Sequence, residues 1–211
     1  MMQHWDRDTW DKDYSARGHV WGGSVHVLPT LPASARVLEL GCGNGKTLAG
    51  MLQRGWDVIA TDFSLPAAVL SRKAVPDTAS CEVVLSDARV LPFRSGSFED
   101  VFVYHVLGHL TAADQVVCAR EIGRVLRSRG RIFFCAFSEK DFRFGNGIMT
   151  EPGTFMRGNG IRTHYFTLDE VRTLFSPCDE ESVDTRSWSM RVRGKDYIRS
   201  EIQAVFVKRD I

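Results

Sequence analysis

The sequence lacks the features that mark several broad classes of protein. Its 5 cysteines are scattered, with no C-x-x-C pair and no zinc-finger spacing, so neither a disulfide framework nor a structural zinc site is indicated. Residues 1–13 are charged and aromatic, unlike a signal peptide. The longest apolar run, residues 132–137, is far too short to span a bilayer. We therefore expect reduced thiols, a cytoplasmic location and no membrane partner.

An excess of charge of one sign is also missing. The formal net charge is +1, from 27 lysines and arginines against 26 acidic residues. No overall field thus directs the protein toward nucleic acid or acidic partners. A chain of 211 residues suits one α/β domain with a sizeable core, so the sequence predicts a single domain over residues 1–211 and leaves the oligomeric state open.

The most informative stretch is a glycine-rich loop that follows an apolar, strand-like run at residues 36–40. Glycine occupies every second position of this loop, at Gly41, Gly43 and Gly45, and a helix-compatible run follows at residues 46–54. Strand, glycine-rich turn and helix form the first unit of a nucleotide-binding α/β sheet. Glycines let the backbone bend sharply, and the helix N-terminus offers free N–H groups to a ligand.

The spacing of this loop separates the kinds of nucleotide site. A dinucleotide site has the pattern G-x-G-x-x-G, and here Lys46 stands where the third glycine belongs. A phosphate-binding P-loop requires glycine where this chain has Leu40. The P-loop hypothesis therefore fails, and a non-catalytic nucleotide-binding protein, such as an NAD-sensing module, is a weaker alternative.

An acidic residue follows the second predicted strand, residues 57–61. Asp62 lies about 20 positions after Gly41, where nucleotide-binding folds place the carboxylate that accepts hydrogen bonds from ribose hydroxyls. The alternative is that Asp62 caps the helix predicted to run to residue 74. Ser64 can serve as that cap, which favours a ligand role for Asp62.

The E-x-G-x-G-x-G form of the loop, residues 39–45, resembles motif I of the class I S-adenosylmethionine (SAM)-dependent methyltransferases. Further segments resemble the family's motifs in the same order: SDARVLPF at residues 86–93, FEDVFVYHVLGHL at 98–110 and REIGRVLRSRGRIFF at 120–134. The likeness is to small methyltransferases of the type 11 and tellurite-resistance-like group. It implies an α/β, Rossmann-like, doubly wound and mostly parallel seven-stranded sheet with an antiparallel C-terminal strand, and it implies SAM as cofactor.

The same resemblance implies a set of cofactor-binding residues. They are Tyr14, Trp21, Glu39, Gly41, Cys42, Gly43, Asp62, Phe63, Ser64, Asp87, Ala88, Tyr104 and His105. In relatives with a similar leader, the segment corresponding to residues 1–30 folds over the cofactor. Asp87 would bind the adenine amino group and the Ala88 N–H a ring nitrogen. Plain packing of the leader aromatics, and a solvent-facing loop at Asp87, are the alternatives.

Residues 138–167 form the least family-like segment. It combines five glycines with arginines, aromatics and methionines, a composition unlike that of a disordered linker. A connection this long inside a compact domain is usually functional or disordered, so we predict a substrate lid with glycine hinges. A structured surface excursion is the alternative.

No residue identifies itself as a general base. His105, His164, Tyr165 and His19 are candidates because their pKa range or hydrogen bonding suits proton transfer. His105 and His109 have the spacing of a helical metal pair, but the sequence shows no third ligand nearby, so no metal is expected.

The function predicted first is methyl transfer from SAM to a small-molecule acceptor, which fits the short chain and the balanced charge. The alternative is an RNA acceptor such as tRNA, with a small activating subunit as a possible requirement. RNA binding normally calls for a clear basic surface, which the composition does not show.

Overall fold

The computed structural model describes residues 4–17 and 27–210, and within the first range it describes the side chains of residues 7–16. The helices are α1 (His4–Arg17), α2 (Lys46–Leu52), α3 (Leu65–Ala74), α4 (Ala112–Val125) and α5 (Leu168–Leu174), with a 3-10 turn at Leu107–His109. The strands are β1 (Arg36–Leu40), β2 (Asp57–Asp62), β3 (Cys81–Leu85), β4 (Phe98–Tyr104), β5 (Leu126–Phe137), β6 (Ile148–Glu151), β7 (Thr154–Met156), β8 (Arg162–His164), β9 (Cys178–Val192) and β10 (Lys195–Lys208). Among these helices, none is both long enough and apolar enough to cross a membrane.

Seven strands form one sheet in the order β3-β2-β1-β4-β5-β10-β9. β1 pairs in parallel with both β2 and β4, whereas β10 runs antiparallel to both β5 and β9. The predicted Rossmann-like sheet with its antiparallel C-terminal strand is therefore confirmed. The strand order reverses between β1 and β4, and in such sheets ligands bind at the carboxyl ends of the strands beside that reversal.

The core lies on both faces of the sheet. Successive residues of a strand point to opposite faces, so Val37 packs in one apolar cluster and Leu38 in the other. The Leu38 cluster includes residues of α4, whereas the Val37 cluster includes Met51 of α2 and Trp56. This two-sided burial explains why β1, β2 and β4 are nearly continuous apolar runs in the sequence.

Most element boundaries agree with the sequence to within two residues, but β5 does not. Residues 127–130, with the sequence RSRG, favour a turn and therefore a strand that begins at Arg131. The strand instead begins at Leu126, which pairs with Phe98 of β4. The intervening residues form an irregularity with Arg129 at a φ of 62°. Gly130 is needed there because a Cβ would lie 2.6 Å from a carbonyl oxygen of β4. The chain-breaking residues thus produce a bulge within the strand.

Residues 138–167 have secondary structure of their own. Strands β6, β7 and β8 form a separate antiparallel sheet. The ring of Phe144 lies 5.2 Å from that of Phe155 and 5.8 Å from that of Tyr165. The outer strand leaves Ile148 and Met149 largely exposed. The segment therefore has regular structure of its own, and the choice between a substrate lid and a surface excursion stays open.

The fold yields a prediction at the start of α5. The Thr167 side chain accepts from the Glu170 N–H and the Glu170 carboxylate accepts from the Thr167 N–H, the capping box expected from the sequence. Thr167→Ala should lower the free energy of unfolding by about 1 kcal/mol because it leaves a helix N–H unsatisfied. Urea denaturation measures this loss. Thr173→Ala, an exposed position within the same helix, is the control and should change stability by less than about 0.5 kcal/mol; equal effects would contradict the assignment.

Candidate functional site

The glycine loop after β1 is closely packed from two sides. Gly41 and Gly43 have φ values of 65° and 56°, a left-handed conformation that glycine adopts without strain. A Cβ on Gly41 would lie 2.5 Å from a methyl carbon of Val106, and one on Gly43 would lie 2.6 Å from the Tyr14 hydroxyl. Side chains at these two positions are therefore excluded by both conformation and space.

Asp62 ties this loop to the next strand and helix. One carboxylate oxygen accepts from the Gly43 N–H and the other from the Ser64 N–H, both at 2.9 Å. Ser64 caps α3, as expected, by accepting from the Ala67 N–H. Burial raises the pKa of Asp62 to about 6, against the opposing effect of the backbone donors. Each oxygen has a further lone pair, so the carboxylate can still accept from ribose hydroxyls.

Glu39 places a second carboxylate near the same loop. Its side chain is buried, and within the described part of the chain its Oε2 atom has no hydrogen-bond donor. Burial, and then the charge of Asp62, raise the pKa of Glu39 to about 8. A buried acceptor without a donor calls for a partner. SAM carries an ammonium and a sulfonium charge, so a cradle of glycines beside two buried carboxylates fits this cofactor.

The described part of the N-terminal leader, α1, lies over the glycine loop. Tyr14 is buried, and burial followed by the charge of Asp62 raises its pKa. Its ring stacks on Trp10 at 5.8 Å, and Trp10 in turn meets the edge of His109 at 4.9 Å. The helix therefore bridges the loop and the segment after β4. Contact of residues 1–30 with the cofactor stays a prediction, and Trp21 and His19 lie outside the described residues.

The turn after β3 holds Asp87 in an ion pair. Its carboxylate accepts from the Arg89 guanidinium at 2.7 Å and from the Arg89 backbone N–H at 2.9 Å. Arg89 also bonds Asp114 at 3.0 Å. Burial alone would raise the pKa of Asp87, but hydrogen bonds and charge from Arg89 outweigh it and lower that pKa. An adenine amino group would therefore share the Asp87 carboxylate with Arg89. Of the other predicted cofactor-binding residues, Ala88 packs against the core and Phe63 is partly exposed.

The three candidate bases occupy different environments. His105 follows β4 at a φ of 57° and keeps a quarter of its side chain exposed, next to the cofactor-binding candidate Tyr104. His164 is buried, its Nδ1 lies 2.8 Å from the Thr154 hydroxyl, and burial lowers its pKa. Tyr165 is buried too, and its hydroxyl accepts from Arg157 at 3.3 Å. Of the three, His105 lies at the carboxyl end of the central strands with solvent access; a base role stays a prediction.

The structure also assembles an arginine pair that sequence reasoning missed. The guanidinium carbons of Arg143 and Arg199 lie 3.9 Å and 4.7 Å from the centre of the Phe137 ring. Both arginines donate to the buried carboxylate of Asp141 at 2.7 Å. From the sequence, Arg143 belongs to the predicted lid, and Arg199 belongs to a locally basic hairpin whose charges are usually solvated. The D-x-R spacing at residues 141–143 could have predicted the pairing of Arg143 with Asp141. No nearby residue in the sequence indicates that Arg199 of β10 shares the same carboxylate.

Comparison with known proteins finds similarity to methyltransferases. A family described as "Methyltransferase domain" matches residues 38–134. The tRNA N(3)-methylcytidine methyltransferase Mettl2 of Drosophila melanogaster is 30% identical over 188 residues, which are 82% of this chain and 58% of that protein. The demethylmenaquinone methyltransferase of Beutenbergia cavernae is 36% identical over 103 residues, 49% of this chain and 41% of that protein. The chain thus spans about half the length of these curated relatives.

Solved structures agree on the fold. A SAM-dependent methyltransferase from Methanosarcina mazei superposes with a TM-score of 0.72 at 20% identity, over 85% of this chain and 94% of that one. A methyltransferase of Haloferax volcanii, solved in complex with the Trm112 methyltransferase activator, has a TM-score of 0.66 at 15% identity, over 99% and 95% of the two chains. With the glycine loop, the acidic residue after β2 and the strand order in place, residues 38–134 match a methyltransferase domain, and the chain has the fold of SAM-dependent methyltransferases.

Proposed function

We propose that this chain transfers a methyl group from SAM to RNA, with tRNA as the acceptor class. The observation that carries the proposal is the similarity to a tRNA methyltransferase over 82% of the chain. That support is broader than the support for the small-molecule acceptor that the sequence analysis placed first. A cytoplasmic location and the need for an activating subunit stay predictions.

The chain's own residues would bind and orient the cofactor. The glycine loop admits it closely, Asp62 accepts from its ribose, and Glu39 faces its positive charge; these roles are parts of the proposal. SAM supplies an activated methyl group on a sulfonium, so the protein's contribution is mainly positioning and the exclusion of water. α1 lies over the loop and therefore contributes to that exclusion.

The surface beyond His105 suits a polynucleotide acceptor. Trp188 and Phe144 are each about two-fifths exposed, and the Arg199 guanidinium lies 5.7 Å from the Trp188 ring. Unpaired bases in RNA are commonly bound by stacking on aromatic rings and arginine planes. Residues 186–199, at the tip of the β9–β10 hairpin, carry a local excess of positive charge: Asp196 is the one acidic residue there, against Arg186, Arg191, Arg193, Lys195 and Arg199. A net charge of +1 therefore conceals a basic region at this end of the sheet.

The acceptor chemistry also accounts for the lack of an evident general base. The Drosophila melanogaster relative is named for methylation at N(3) of cytidine. That ring nitrogen has a free lone pair and no proton in the neutral base, so no group has to remove a proton from it. The positive charge moves from sulfur to the base during such a transfer. A small-molecule acceptor remains the second candidate, favoured by the demethylmenaquinone methyltransferase that matches half of the chain.

The ribose assignment is tested with Asp62→Asn. The amide cannot accept from both Gly43 and Ser64 and offers one acceptor where the carboxylate offers two, so SAM affinity should fall by about thirty-fold (~2 kcal/mol). Titration calorimetry measures the affinity. Asp57→Asn, at the other end of the same strand, is the matched control and should bind SAM as the wild type does. Wild-type affinity in Asp62→Asn, in a protein that is still folded, would remove the assignment.

Glu39 should make SAM binding depend on pH. Its pKa of about 8 leaves it mostly protonated near neutrality, and a cationic ligand favours the ionised form, so affinity should rise between about pH 7 and about pH 9 with release of a proton. The raised pKa also means that the stability contributed by Glu39 is lost as pH rises through about 8. Glu39→Gln should therefore lose the pH dependence of SAM binding and unfold no earlier than wild type above about pH 8.

Calorimetry in two buffers of different ionisation enthalpy counts the released protons, and thermal unfolding follows stability. Glu82→Gln, an exposed position on β3, two strands away from Glu39, is the control and should keep the wild-type pH profile. Proton release that persists in Glu39→Gln would show that another group titrates.

The acceptor class is tested by methyl transfer from tritium-labelled SAM to two pools, total tRNA and an RNA-free metabolite extract. We expect label in the tRNA pool, and nucleoside analysis should place it on cytidine. Calorimetry with SAM is the control: it shows, independently of methyl transfer, that the protein used in the assay binds the cofactor. Label confined to the metabolite pool would favour the small-molecule acceptor, and label in neither pool, with or without an added activating subunit, would contradict the proposal.

A further inference from the structure

Three side chains with metal-binding atoms meet at the carboxyl end of the central strands. They are His105, directly after β4, Cys135 of β5 and Glu201 of β10, and their ligand atoms all lie within 4.8 Å of one another. Nε2 of His105 lies 3.8 Å from the Cys135 sulfur and 3.7 Å from Oε2 of Glu201. We propose that this cluster, His105–Cys135–Glu201, binds a divalent metal ion of the zinc class.

The sheet register brings these residues together. Tyr104 pairs with Cys135 across β4 and β5, and Phe137 pairs with Glu201 across β5 and β10. Cys135 and Phe137 are two residues apart on one strand and so point to the same face. Glu201 shares that face because it stands opposite Phe137. Three neighbouring strands therefore each supply one ligand to one spot, which no local stretch of the sequence reveals.

The distances are close to those of a tetrahedral zinc site. Zinc–sulfur, zinc–nitrogen and zinc–oxygen bonds with tetrahedral angles place neighbouring ligand atoms about 3.3–3.6 Å apart. The observed separations of 3.8 Å and 3.7 Å need only a few tenths of an ångström of contraction. Side-chain rotation provides that much without movement of the strands.

The donor set selects the kind of metal. A thiolate, an imidazole and a carboxylate suit zinc and chemically similar transition metals, whereas magnesium and calcium take all-oxygen sites. Three protein ligands leave a fourth tetrahedral position for water or for an atom of the acceptor. A closed structural zinc site would need a fourth protein ligand, so the proposed site is of the open kind.

The cluster is also built into a fixed frame. His105 occupies the left-handed region at a φ of 57°, a costly conformation for a non-glycine residue, and its N–H donates to the Cys135 carbonyl at 2.7 Å. The Gln203 amide donates to Oε1 of Glu201 at 2.7 Å, which orients the carboxylate as second-shell partners of metal ligands do. The surrounding structure maintains the strained backbone at His105, and Gln203 orients the Glu201 carboxylate. Both ligand atoms are therefore held in place.

A metal ion would balance the charges buried here. Cys135 is 1% exposed and Glu201 is 4% exposed. Among the described residues, Glu201 forms an ion pair with His105. Burial, and then the charge of Glu201, raise the pKa of the Cys135 thiol, while the exposed Arg186 acts in the opposite direction. A divalent cation displaces the thiol proton and offsets both negative ligands.

This cluster differs from the histidine pair considered from the sequence. Nδ1 of His109 bonds the Arg162 carbonyl at 2.7 Å, so that ring is held by the insertion. His105 takes its partners from β5 and β10 instead. Tyr104 ends β4, which lies between β5, the strand of Cys135, and β1, the strand that precedes the cofactor loop. The proposed ion would stand on the acceptor side of that loop.

The test is titration of chelator-treated full-length protein with cobalt(II), which reports thiolate ligation by a charge-transfer band in the near ultraviolet and tetrahedral geometry by intense visible bands. We expect one equivalent to bind with both signals, and zinc to displace it. Cys135→Ser should lose the charge-transfer band, and Glu201→Gln should weaken cobalt binding at least ten-fold while keeping that band. Cys81→Ser, a half-buried cysteine of β3 outside the cluster, is the matched control and should titrate as wild type does.

Circular dichroism checks that each variant is folded, and SAM titration checks the cofactor site independently. Wild-type protein that binds SAM but shows no saturable cobalt signal would overturn the proposal, as would a thiolate band that persists in folded Cys135→Ser. Should Cys135→Ser not fold, Glu201→Gln decides: cobalt affinity equal to that of wild type would overturn it. The proposal does not rest on the RNA acceptor, so the two can fail separately.

Discussion

The geometry of the site depends on one carboxylate. Asp62 ends β2 and accepts N–H groups from Gly43 in the loop after β1 and from Ser64 at the cap of α3. This one buried side chain thereby holds the ends of two neighbouring strands and the start of a helix. Hydrogen bonds to a charged acceptor are about twice as strong as those between neutral groups. The glycine loop has few side chains that could anchor it, so strong bonds from its backbone to Asp62 are what fix it. The loop keeps its left-handed glycines in register because Asp62 fixes their position relative to β2.

That anchor has an electrostatic consequence. Asp62 and Glu39 are buried near each other, and each has a raised pKa because burial disfavours the ionised form. A positive charge at the loop would stabilise the ionised forms of both groups. The two raised pKa values thus favour a cationic ligand at this loop.

The acceptor side is assembled from parts that are distant in the sequence. α1 reaches the segment after β4 through Trp10 and His109, and the insertion reaches the same segment because His109 bonds the Arg162 carbonyl. Arg199 of the C-terminal hairpin completes the arrangement by sharing Asp141 with Arg143. Leader, insertion and hairpin thus meet around the end of β4, where the proposed metal site also lies.

The sequence by itself determined a nucleotide-binding α/β unit, because glycine spacing, an acidic residue at a fixed distance and apolar strand runs are local patterns that report backbone geometry directly. The sheet with its antiparallel last strand and the expectation of SAM came from the resemblance of several motifs, in order, to those of SAM-dependent methyltransferases. The capping box of α5 and the Ser64 cap belong to the same category, since each involves residues a few positions apart. The bulge in β5 did not follow, because the pairing of Leu126 with Phe98 outweighed the local turn preference.

Only the tertiary structure decided what surrounds His105. Its partners Cys135 and Glu201 lie on strands made adjacent by sheet order, and strand register determines which side chains share a face. In the same way, Asp87 faces Arg89 rather than open solvent, and Arg199 is held at Asp141 rather than solvated on a hairpin. Side-chain pairing across the sheet depends on long-range packing, which no short stretch of sequence encodes.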